Sequence, residues 1–291
     1  MKYAMIKGNE DHYPVGMMCR LLSVSRSGYY SWKNRPHSGR DQANQKLLTE
    51  IKRVFDDEKG RPGSPRITQR LQEEGKPASR HRVARLMKNN GLRAKAAKKY
   101  KATTNSNHSL PVAPNLLEQN FTADVPDQKW VSDITYIWTE EGWLYLAVVL
   151  ELYSRRVIGW AIGERMTATL VCDALIMALW RRHMPKGVIV HSDRGSQYCS
   201  AAYQKLFTQH QLVCSMSKKG DCYDNAPMES FWGKLKNELV HHRRYKTREQ
   251  AIREITEHIE VFYNRQRRQA RLGYLSPAVY ERQFYARQLA A

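Results

Sequence analysis

The sequence predicts an α/β domain with a mixed sheet of five strands covered by helices, preceded by a basic, all-α region. Segments rich in β-branched and aromatic residues begin abruptly at Lys129, and three of them follow one another. Strands and helices then alternate, which is typical of a mixed sheet with helices on its faces. Upstream of Lys129, apolar residues recur at helical spacing between turn-forming residues, which predicts the helical region.

The composition is that of a globular protein that stays in the cytoplasm. Of the 291 residues, 42% are hydrophobic and 26% are charged, and no apolar run approaches the roughly 20 residues that a membrane span needs. The N-terminus has early acids and no apolar signal core, so we expect neither export nor a membrane partner. Five scattered cysteines without a C-x-x-C pair argue against a disulfide framework and against a structural zinc site.

Positive charge is concentrated in the two ends of the chain. Residues 1–120 hold 24 Lys and Arg against 10 Asp and Glu, residues 121–240 hold 13 of each, and residues 241–291 hold 11 against 5. Basic flanks around a neutral middle, with a formal net charge of +20, suggest a polyanion held at both ends, and DNA or RNA is the leading candidate. A basic surface that only faces solvent is the alternative.

Residues 1–40 are predicted to form an N-terminal helical segment. Within residues 14–33, apolar side chains lie at helical spacing on both sides of a short turn, and Ser25 or Ser27 can cap the second helix. Two short helices joined by a tight turn resemble a helix-turn-helix. A small helical hairpin that only packs on its neighbour explains the pattern equally well.

Residues 41–102 are predicted to form a basic helix-turn-helix domain. The first helix covers residues 44–58, the second follows the breakers KGRPGSP and ends at Gly75, and the third runs from Ser79 to Gly91. The polar face of the third helix is almost entirely cationic, with Arg80, Arg82, Arg85 and Lys88. Such a helix suits the major groove of double-stranded DNA, because arginine reaches base edges or phosphates. A solvated face is the alternative.

A linker, an α/β domain and a C-terminal segment follow. Residues 103–127 contain three prolines and many turn formers, which predicts a linker. Residues 128–240 hold the predicted strands KWVSDITYIWT, GWLYLAVVLEL, RRVIGWAI, GVIVHSD and VCSMS, with helices at 167–184 and 196–211, the latter with Ser196 as a candidate cap. Residues 241–291 are predicted to form a basic helix, about 247–265, and a tail.

Three acids in the α/β domain occupy unusual positions. Asp133 lies in a strand whose two faces are both nearly apolar, so its carboxylate should be partly buried and needs a partner. Asp193 ends the strand GVIVHSD, at the edge of the sheet where ligands gather. Glu229 lies in the first turns of the helix in DNAPMESFWGKLKNEL, which Asp224 or Asn225 can cap.

Each acid also has an ordinary explanation. Asp133 could be exposed on an edge strand, and Glu229 could be an acid favoured by the helix dipole. Asp193 could cap the following helix or make a turn contact with Arg194. Together the three acids could hold Mg²⁺ or Mn²⁺, which prefer hard oxygen ligands. Two such ions, about 3.5–4 Å apart, can activate a nucleophile and stabilise the leaving oxygen in phosphoryl displacement.

Longer stretches around these acids resemble a known family. WVSDITYIWT, HSDRGSQY and SMSKKGDCYDNAPMESFWGKLKNEL are similar to the three blocks of the retroviral-integrase-like core of insertion-sequence transposases, the DDE group, and 35 residues separate Asp193 from Glu229, the usual interval of that group. Three further regions resemble the second-reading-frame (OrfB-type) subunit of these elements. Its start is similar to PVGMMCRLLSVSRSGYYSW, its helix-turn-helix region to GSPRITQRL and HRVARLMKNNGLRAK, and its tail to YNRQRRQARLGYLSPAVYE. The resemblance covers nearly the whole chain.

The resemblance implies a ribonuclease H-like fold in which Asp133 and Asp193 lie on neighbouring strands and Glu229 lies on the helix that closes the site. It implies that these acids are catalytic and bind Mg²⁺ or Mn²⁺, as two ions. Water would free a 3′-hydroxyl at the end of the element, and that hydroxyl would attack another phosphodiester. The implied partners are double-stranded DNA of the element ends and target, further copies of the chain on the DNA, and a first-frame subunit or fusion.

The two lysines after Glu229 are expected to differ. Lys236 lies seven residues further on, hence on the same helical face, and matches a position where integrase-like enzymes place a basic residue on the DNA. A solvated lysine is the alternative there. Lys234 projects from a different face, and we expect it to be solvated. Gln269 and Glu151 depart from the family pattern, which more often has histidine and aspartate, but neither is an expected ligand.

Two other functions stay open at this point. The chain could be a DNA-binding subunit that regulates transposition and is inactive without the first-frame fusion, or it could be a nuclease or junction resolvase of the same fold. No heptad repeat precedes Pro14. We therefore expect either the catalytic portion of a fusion or a separately made subunit, working in the bacterial cytosol or nucleoid.

Overall fold

A computed structural model describes residues 1–34, 38–95, 111–218 and 222–290. They form two compact units, Met1–Leu92 and Arg93–Ala291. Parts of all five predicted segments lie outside the described residues, namely 35–37, 96–102, 103–110, 219–221 and 291.

The described part of the first unit is helical, as predicted. Its helices are α1 (Lys2–Asn9), α2 (Val15–Leu21), α3 (Arg26–Lys33), α4 (Gly39–Asp57), α5 (Ser64–Glu73) and α6 (Arg80–Asn89). The hydroxyl oxygens of Ser25 and Ser79 cap α3 and α6 by accepting hydrogen bonds from the amides of Gly28 and Arg82. The sequence did not predict α1, and α4 begins five residues before its predicted start because Ser38 caps it.

Two small hydrophobic cores hold these helices together. Helices α1 to α3 bury Ile6, Met18, Cys19 and Tyr29. Helices α4 to α6 bury a larger set, which consists of Ile51, Val54, Ile67, Leu71, Val83, Leu86 and Met87 together with Ala78 from the loop before α6. The apolar face of α6 is therefore turned inward, and its cationic face is turned outward.

The second unit contains a sheet flanked by helices. In chain order its elements are β1 (Lys129–Thr139), β2 (Gly142–Glu151), β3 (Val157–Gly163), α7 (Ala168–Arg181), β4 (Ile189–Ser192), α8 (Ala201–His210), β5 (Val213–Met216), a 3₁₀ turn (Cys222–Asn225), α9 (Ala226–Glu238), α10 (Arg248–Glu257), a π-helical stretch (His258–Gln266) and α11 (Pro277–Leu289). Short 3₁₀ turns also occur at Val240–His242 and Ala270–Leu272.

The strands form the predicted mixed five-stranded sheet, in the order β3-β2-β1-β4-β5. β1 pairs antiparallel with β2, and β2 pairs antiparallel with β3, whereas β1, β4 and β5 run parallel. β1 is therefore the central strand, and Asp133 does not lie on an edge strand, which excludes the ordinary explanation for that residue. The order is the one in which the strands of Asp133 and Asp193 are neighbours.

Helices cover both faces of the sheet. One face buries Val131 and Ile137 against Met228, Phe231 and Trp232 of α9. The other face buries Trp130 and Val149 against α7, α8 and their flanking loops. The close approach of α7 requires a glycine in β3, because a Cβ atom at Gly159 would lie 2.1 Å from the carbonyl oxygen of Ala174.

Two helices of the second unit differ from the prediction. The helix predicted from Ser196 begins only at Ala201, and its cap is Ser200, whose hydroxyl oxygen accepts a hydrogen bond from the amide of Tyr203. Residues 196–200 form turns instead, because the Tyr198 ring is drawn into the core, where its hydroxyl lies 3.1 Å from Ser132 Oγ. The predicted tail contains α11, which the sequence did not predict.

The C-terminal segment is bound to the sheet by side chains. The side chain of Asn264 hydrogen-bonds both backbone groups of Val157 in β3. Its Oδ1 accepts from the Val157 amide and its Nδ2 donates to the Val157 carbonyl, both at 2.9 Å. The guanidinium of Arg267 forms an ion pair with Glu238 at the end of α9, at 2.7 Å. Leu117 from the predicted linker is also buried, against the α9 face of the sheet.

We predict that Asn264→Ala lowers the free energy of unfolding of the second unit by about 3 kcal/mol, because it leaves the buried amide and carbonyl of Val157 without partners. Urea unfolding of the full chain, followed by tryptophan fluorescence, measures the change. The matched control is Gln266→Ala, since Gln266 is exposed and should change stability by less than about 0.5 kcal/mol. Equal effects of the two substitutions would show that the hydrogen bonds of Asn264 to Val157 do not stabilise the unit.

Candidate active site

The pairing of two parallel strands brings Asp133 and Asp193 together. The register of β1 and β4 pairs Lys129 with Ile189 and Val131 with His191. Asp133 and Asp193 lie two residues further along their chains, so they occupy equivalent positions where β4 has ended. The sequence predicted this edge of the sheet as the place where ligands gather.

Two hydrogen bonds fix the carboxylate of Asp133. The indole Nε1 of Trp232 donates to Oδ2 at 2.7 Å, and the amide of Ile134 donates to Oδ1 at 2.8 Å. Burial, and then the nearby negative charge of Asp193, raise the pKa of Asp133 above the ordinary range of an aspartate, although both hydrogen bonds oppose that rise. The two carboxylates therefore repel each other across a short distance, and a cation between them would relieve that repulsion.

A tight turn orients Asp193. The amide of Gly195 donates to Asp193 Oδ1 at 2.9 Å, and a Cβ atom at Gly195 would lie 3.0 Å from the same oxygen, tighter than most side-chain contacts. The amide of Gly195 is therefore one partner of the Asp193 carboxylate within this turn. Neighbouring His191 is buried and lies between Ser215 and Ser217, and burial lowers its pKa to about 4, so it remains neutral. Both ring nitrogens of His191 thus face serine hydroxyls, and the ring connects β4 to β5.

Glu229 lies in the first turn of α9, one turn before Trp232. Its negative charge contributes to the raised pKa of Asp133, although its side chain is exposed. Within the described residues, no group of three or more His, Cys, Asp or Glu side chains is arranged to hold a metal ion. The structure therefore places the carboxylates of Asp133 and Asp193 on neighbouring strands, whereas the carboxylate of Glu229 is exposed at the rim of the site.

Asp224 holds the start of α9 against the core, a role that the sequence missed. Its buried carboxylate accepts hydrogen bonds from Asn115 Nδ2 at 2.9 Å, Gln119 Nε2 at 3.3 Å and the amide of Lys218 at 2.6 Å. The prediction that Asp224 can cap α9 is therefore wrong. Asn225 occupies the N-cap position without a capping hydrogen bond from its side chain, and its Nδ2 donates instead to the Ser132 carbonyl at 3.4 Å.

Lys236 lies beside the acids, buried against an aromatic ring. Only 5% of its surface is exposed, and its Nζ lies 5.2 Å from the centroid of the Tyr136 ring. Burial lowers the pKa of Lys236 to about 8, and the nearby Asp133 carboxylate opposes that change. The alternative of a solvated lysine is therefore wrong at this position.

The expectation that Lys234 is solvated is also wrong. Its side chain is half-buried in a cavity behind α9, where its Nζ lies 3.4 Å from Gln269 Oε1. The physical reason is tertiary, because the C-terminal tail folds over this face of the helix.

The cationic residues of α6 lie in the first unit. Arg80, Arg85 and Lys88 are exposed, whereas Arg82 is half-buried and donates from Nε to Asn44 Oδ1 of α4 at 2.8 Å. Three of the four predicted DNA contacts are thus available on one helix, and Arg82 also braces α6 against α4.

Three families match parts of this sequence. Residues 42–100 match the family described as "HTH-like domain". Residues 123–222 match "Integrase core domain", and residues 229–284 match a second family of the same description.

Curated relatives match over nearly their whole length. The "Insertion element IS600 uncharacterized 31 kDa protein" of Shigella sonnei is 50% identical over 274 residues, covering 94% of this chain and 100% of the relative. The "Transposase InsF for insertion sequence IS3A" of Escherichia coli (strain K12) is 48% identical over 283 residues, covering 97% of this chain and 98% of the relative.

Solved structures of retroviral integrase cores are more distant. The HTLV-2 integrase catalytic core domain, in complex with magnesium, is 15% identical with a TM-score of 0.43, and the match covers 55% of this chain and 99% of that one. The catalytic core domain of BIV integrase is 18% identical with a TM-score of 0.42, covering 56% and 99%. In the described part of the chain, no helix is long and apolar enough to cross a membrane.

We predict that Asp224→Ala loosens the start of α9, because three donors lose their shared buried acceptor. Amide hydrogen exchange should become faster at residues 115–119 and in the first turn of α9, with a loss of about 3 kcal/mol in the free energy of unfolding. The control is Asp173→Ala on α7, where the side chain is exposed. Unchanged protection in Asp224→Ala would show that the carboxylate does not hold this helix.

Proposed function

This chain belongs to the insertion-sequence transposases related to InsF of IS3, and we propose that Asp133, Asp193 and Glu229 are the catalytic residues of its DNA chemistry. It is a DDE-type DNA transposase, a polynucleotidyl transferase with an integrase core domain. The observation that supports the residue assignment is the placement of Asp133 and Asp193 at equivalent positions of adjacent parallel strands, beside the helix of Glu229.

The carboxylates of this site fit a divalent cation. Both aspartates are half-buried, and the negative charge of Asp193 adds to burial in raising the pKa of Asp133. Their oxygens are the hard ligands that Mg²⁺ and Mn²⁺ prefer. We assign Asp133 and Asp193 as the inner ligands and Glu229 as the ligand that completes the site by turning inward from the rim. When bound, two such ions supply activation of the nucleophile and stabilisation of the leaving oxygen.

The protein's own groups prepare this arrangement. The indole of Trp232 and the amide of Gly195 each occupy one oxygen of an aspartate and so hold both carboxylates in fixed orientations. Lys236 lies beside Asp133, and we assign its ammonium group to the DNA backbone at the reacting phosphate. Because Lys236 is buried against Tyr136, contact with the DNA requires its Nζ to move off that ring.

The proposed reaction is two successive displacements at phosphorus. Water attacks a phosphodiester at the end of the element, the bond from phosphorus to the 3′-oxygen breaks, and a 3′-hydroxyl and a 5′-phosphate result. That 3′-hydroxyl then attacks a phosphodiester of the target, forms a new bond to phosphorus and releases the target's own 3′-hydroxyl. No protein side chain forms a covalent intermediate in this scheme.

We assign DNA binding outside the active site to α6. Arg80, Arg85 and Lys88 are exposed on one helix of the unit that matches the HTH-like family, and the sequence has no acid from Arg80 to Lys101. Arg82 would then both contact DNA and keep α6 in place through Asn44. Together these residues define a cationic face on α6.

We further propose the partners and location that this chemistry requires. The substrate is double-stranded DNA of the element ends and of the target, and further copies of the chain bind with it, since two ends must be joined in one reaction. A first-frame subunit or fusion is the proposed protein partner, and the cytoplasm, where the DNA lies, is the proposed location.

We predict that Asp193→Asn abolishes cleavage and joining of element-end DNA in Mg²⁺ or Mn²⁺ and leaves DNA affinity within about twofold, because it removes one ligand charge far from the α6 contacts in the sequence. Oligonucleotide cleavage, strand-transfer and gel-shift assays, with and without the fused first-frame product, measure both properties. Asp173→Asn, an exposed aspartate on α7, is the control. Full activity of Asp193→Asn would refute the assignment of the site.

A further inference from the structure

A second polar site lies behind the catalytic helix. A cavity of about 260 Å³ lies between α9, the turn after β2 and the C-terminal tail, and it is open to solvent on one side. At about 30 Å³ per molecule of liquid water, it is several times larger than one water. Its polar lining consists of Arg155, Ser230, Lys234, Tyr263, Gln269 and Arg271, and no acidic residue is among the described residues that line it.

Arg155 points a buried guanidinium into this region. The residue is 7% exposed, and its Nε has no hydrogen-bond partner among the described residues. Its Nη2 reaches only the carbonyl of Phe121, at 3.4 Å. The turn that carries Arg155 is held by Glu151, whose carboxylate accepts from the amides of Tyr153 and Ser154, at 2.8 and 2.7 Å. The guanidinium is therefore held in place with a donor unused.

Gln269 and Lys234 add further donors. Gln269 is 5% exposed, and its Nε2 has no partner with good hydrogen-bond geometry in the described part of the chain, although the side chain lies close to the Tyr263 hydroxyl. Its Oε1 accepts one long hydrogen bond from Lys234 Nζ, at 3.4 Å. Burial lowers the pKa of Lys234 to about 8, and the positive charges of Arg267, Arg155 and Arg271 contribute to that change. Several positive charges thus lie within reach of one another.

Two nearby acids are engaged by other donors. Glu151 lies close enough to Arg155 to oppose the lowered pKa of Arg155, but its oxygens accept from the amides of its own turn. Glu238 lies close enough to oppose the lowered pKa of Lys234, but both of its oxygens accept from the guanidinium of Arg267, at 2.7 and 2.9 Å. Buried cations with unused donors are costly unless an anion accompanies them. The cavity therefore has the charge and the donors of an anion site.

We propose that this cavity binds a phosphate group, held by Arg155, Lys234, Arg271 and the amide of Gln269. A phosphate has oxygens on all sides, which suits donors that converge from a turn, a helix and a tail, and guanidinium groups bind it through paired hydrogen bonds. The side chains of Arg271 and Ser230 are exposed and mark the open side of the cavity. None of these residues belongs to the metal-binding set.

The same chemistry could come from a backbone phosphate of DNA or from a free phosphate ion. Ser230 follows Glu229 directly in the chain, so the open side of the cavity begins next to the rim of the proposed active site, and DNA is the source that we favour. The assignment to DNA rests on the proposed function, whereas the anion site does not.

The first experiment tests the anion site with inorganic phosphate. The melting temperature of the full chain should rise with sodium phosphate beyond its rise with sodium chloride at equal ionic strength. Lys234→Met should weaken the apparent affinity for phosphate about tenfold, because a charged hydrogen-bond donor is lost. Lys205→Met on α8, where the lysine is exposed, is the control for general salt effects. Arg271→Gln, at the open side, is the second variant.

The second experiment identifies the source of the phosphate. If DNA supplies it, duplex DNA competes with the phosphate effect, and Lys234→Met reduces the slope of log affinity against log salt by about 0.9, the value for one lost phosphate contact. If DNA does not compete while phosphate still protects, the site binds the free ion. Asp193→Asn should keep the phosphate effect, so that failure of the catalytic assignment remains distinguishable. The proposal is overturned if phosphate gives no specific protection, or if Lys234→Met and Arg271→Gln both retain it in full.

Discussion

The parallel pairing of β1 with β4 is the constraint on which the account of this protein depends. It places Asp133 and Asp193 at equivalent positions of neighbouring strands, where burial and the negative charge of Asp193 raise the pKa of Asp133. Such a pair is stable only if donors or cations offset the repulsion. The chain provides the donors itself, through Trp232 and the amide of Gly195, and thereby holds both carboxylates ready for a cation.

Helix α9 joins this pair to the rest of the unit. Glu229 stands at the rim of the site, Trp232 donates to Asp133, and Lys236 lies over Tyr136 on the active-site side of the helix. Asp224 fixes the start of the helix, and Arg267 fixes its end through Glu238. The C-terminal tail thus braces α9, the helix to which we assign the closing of the site.

Local patterns were enough to predict the sheet and the positions of Asp133 and Asp193 within it. The doubly apolar strand around Asp133 indicated a buried carboxylate, and Asp193 ended a strand as expected. The errors arose where tertiary contacts override local signals: Ser196 gave way to Ser200 as the cap because Tyr198 is drawn into the core, and Lys234 is buried because a distant tail covers it. The hydrogen bond of Trp232 was equally hidden, since it joins residues 99 positions apart.

The measurement that tests the central claim most directly is the anomalous diffraction of crystals of the full chain grown with Mn²⁺. The account predicts manganese in direct contact with the carboxylates of Asp133 and Asp193, with the side chain of Glu229 turned inward from the exposed position that it has here. Manganese bound only at other acids, with both aspartates retaining their present contacts and Glu229 remaining at the rim, would contradict it.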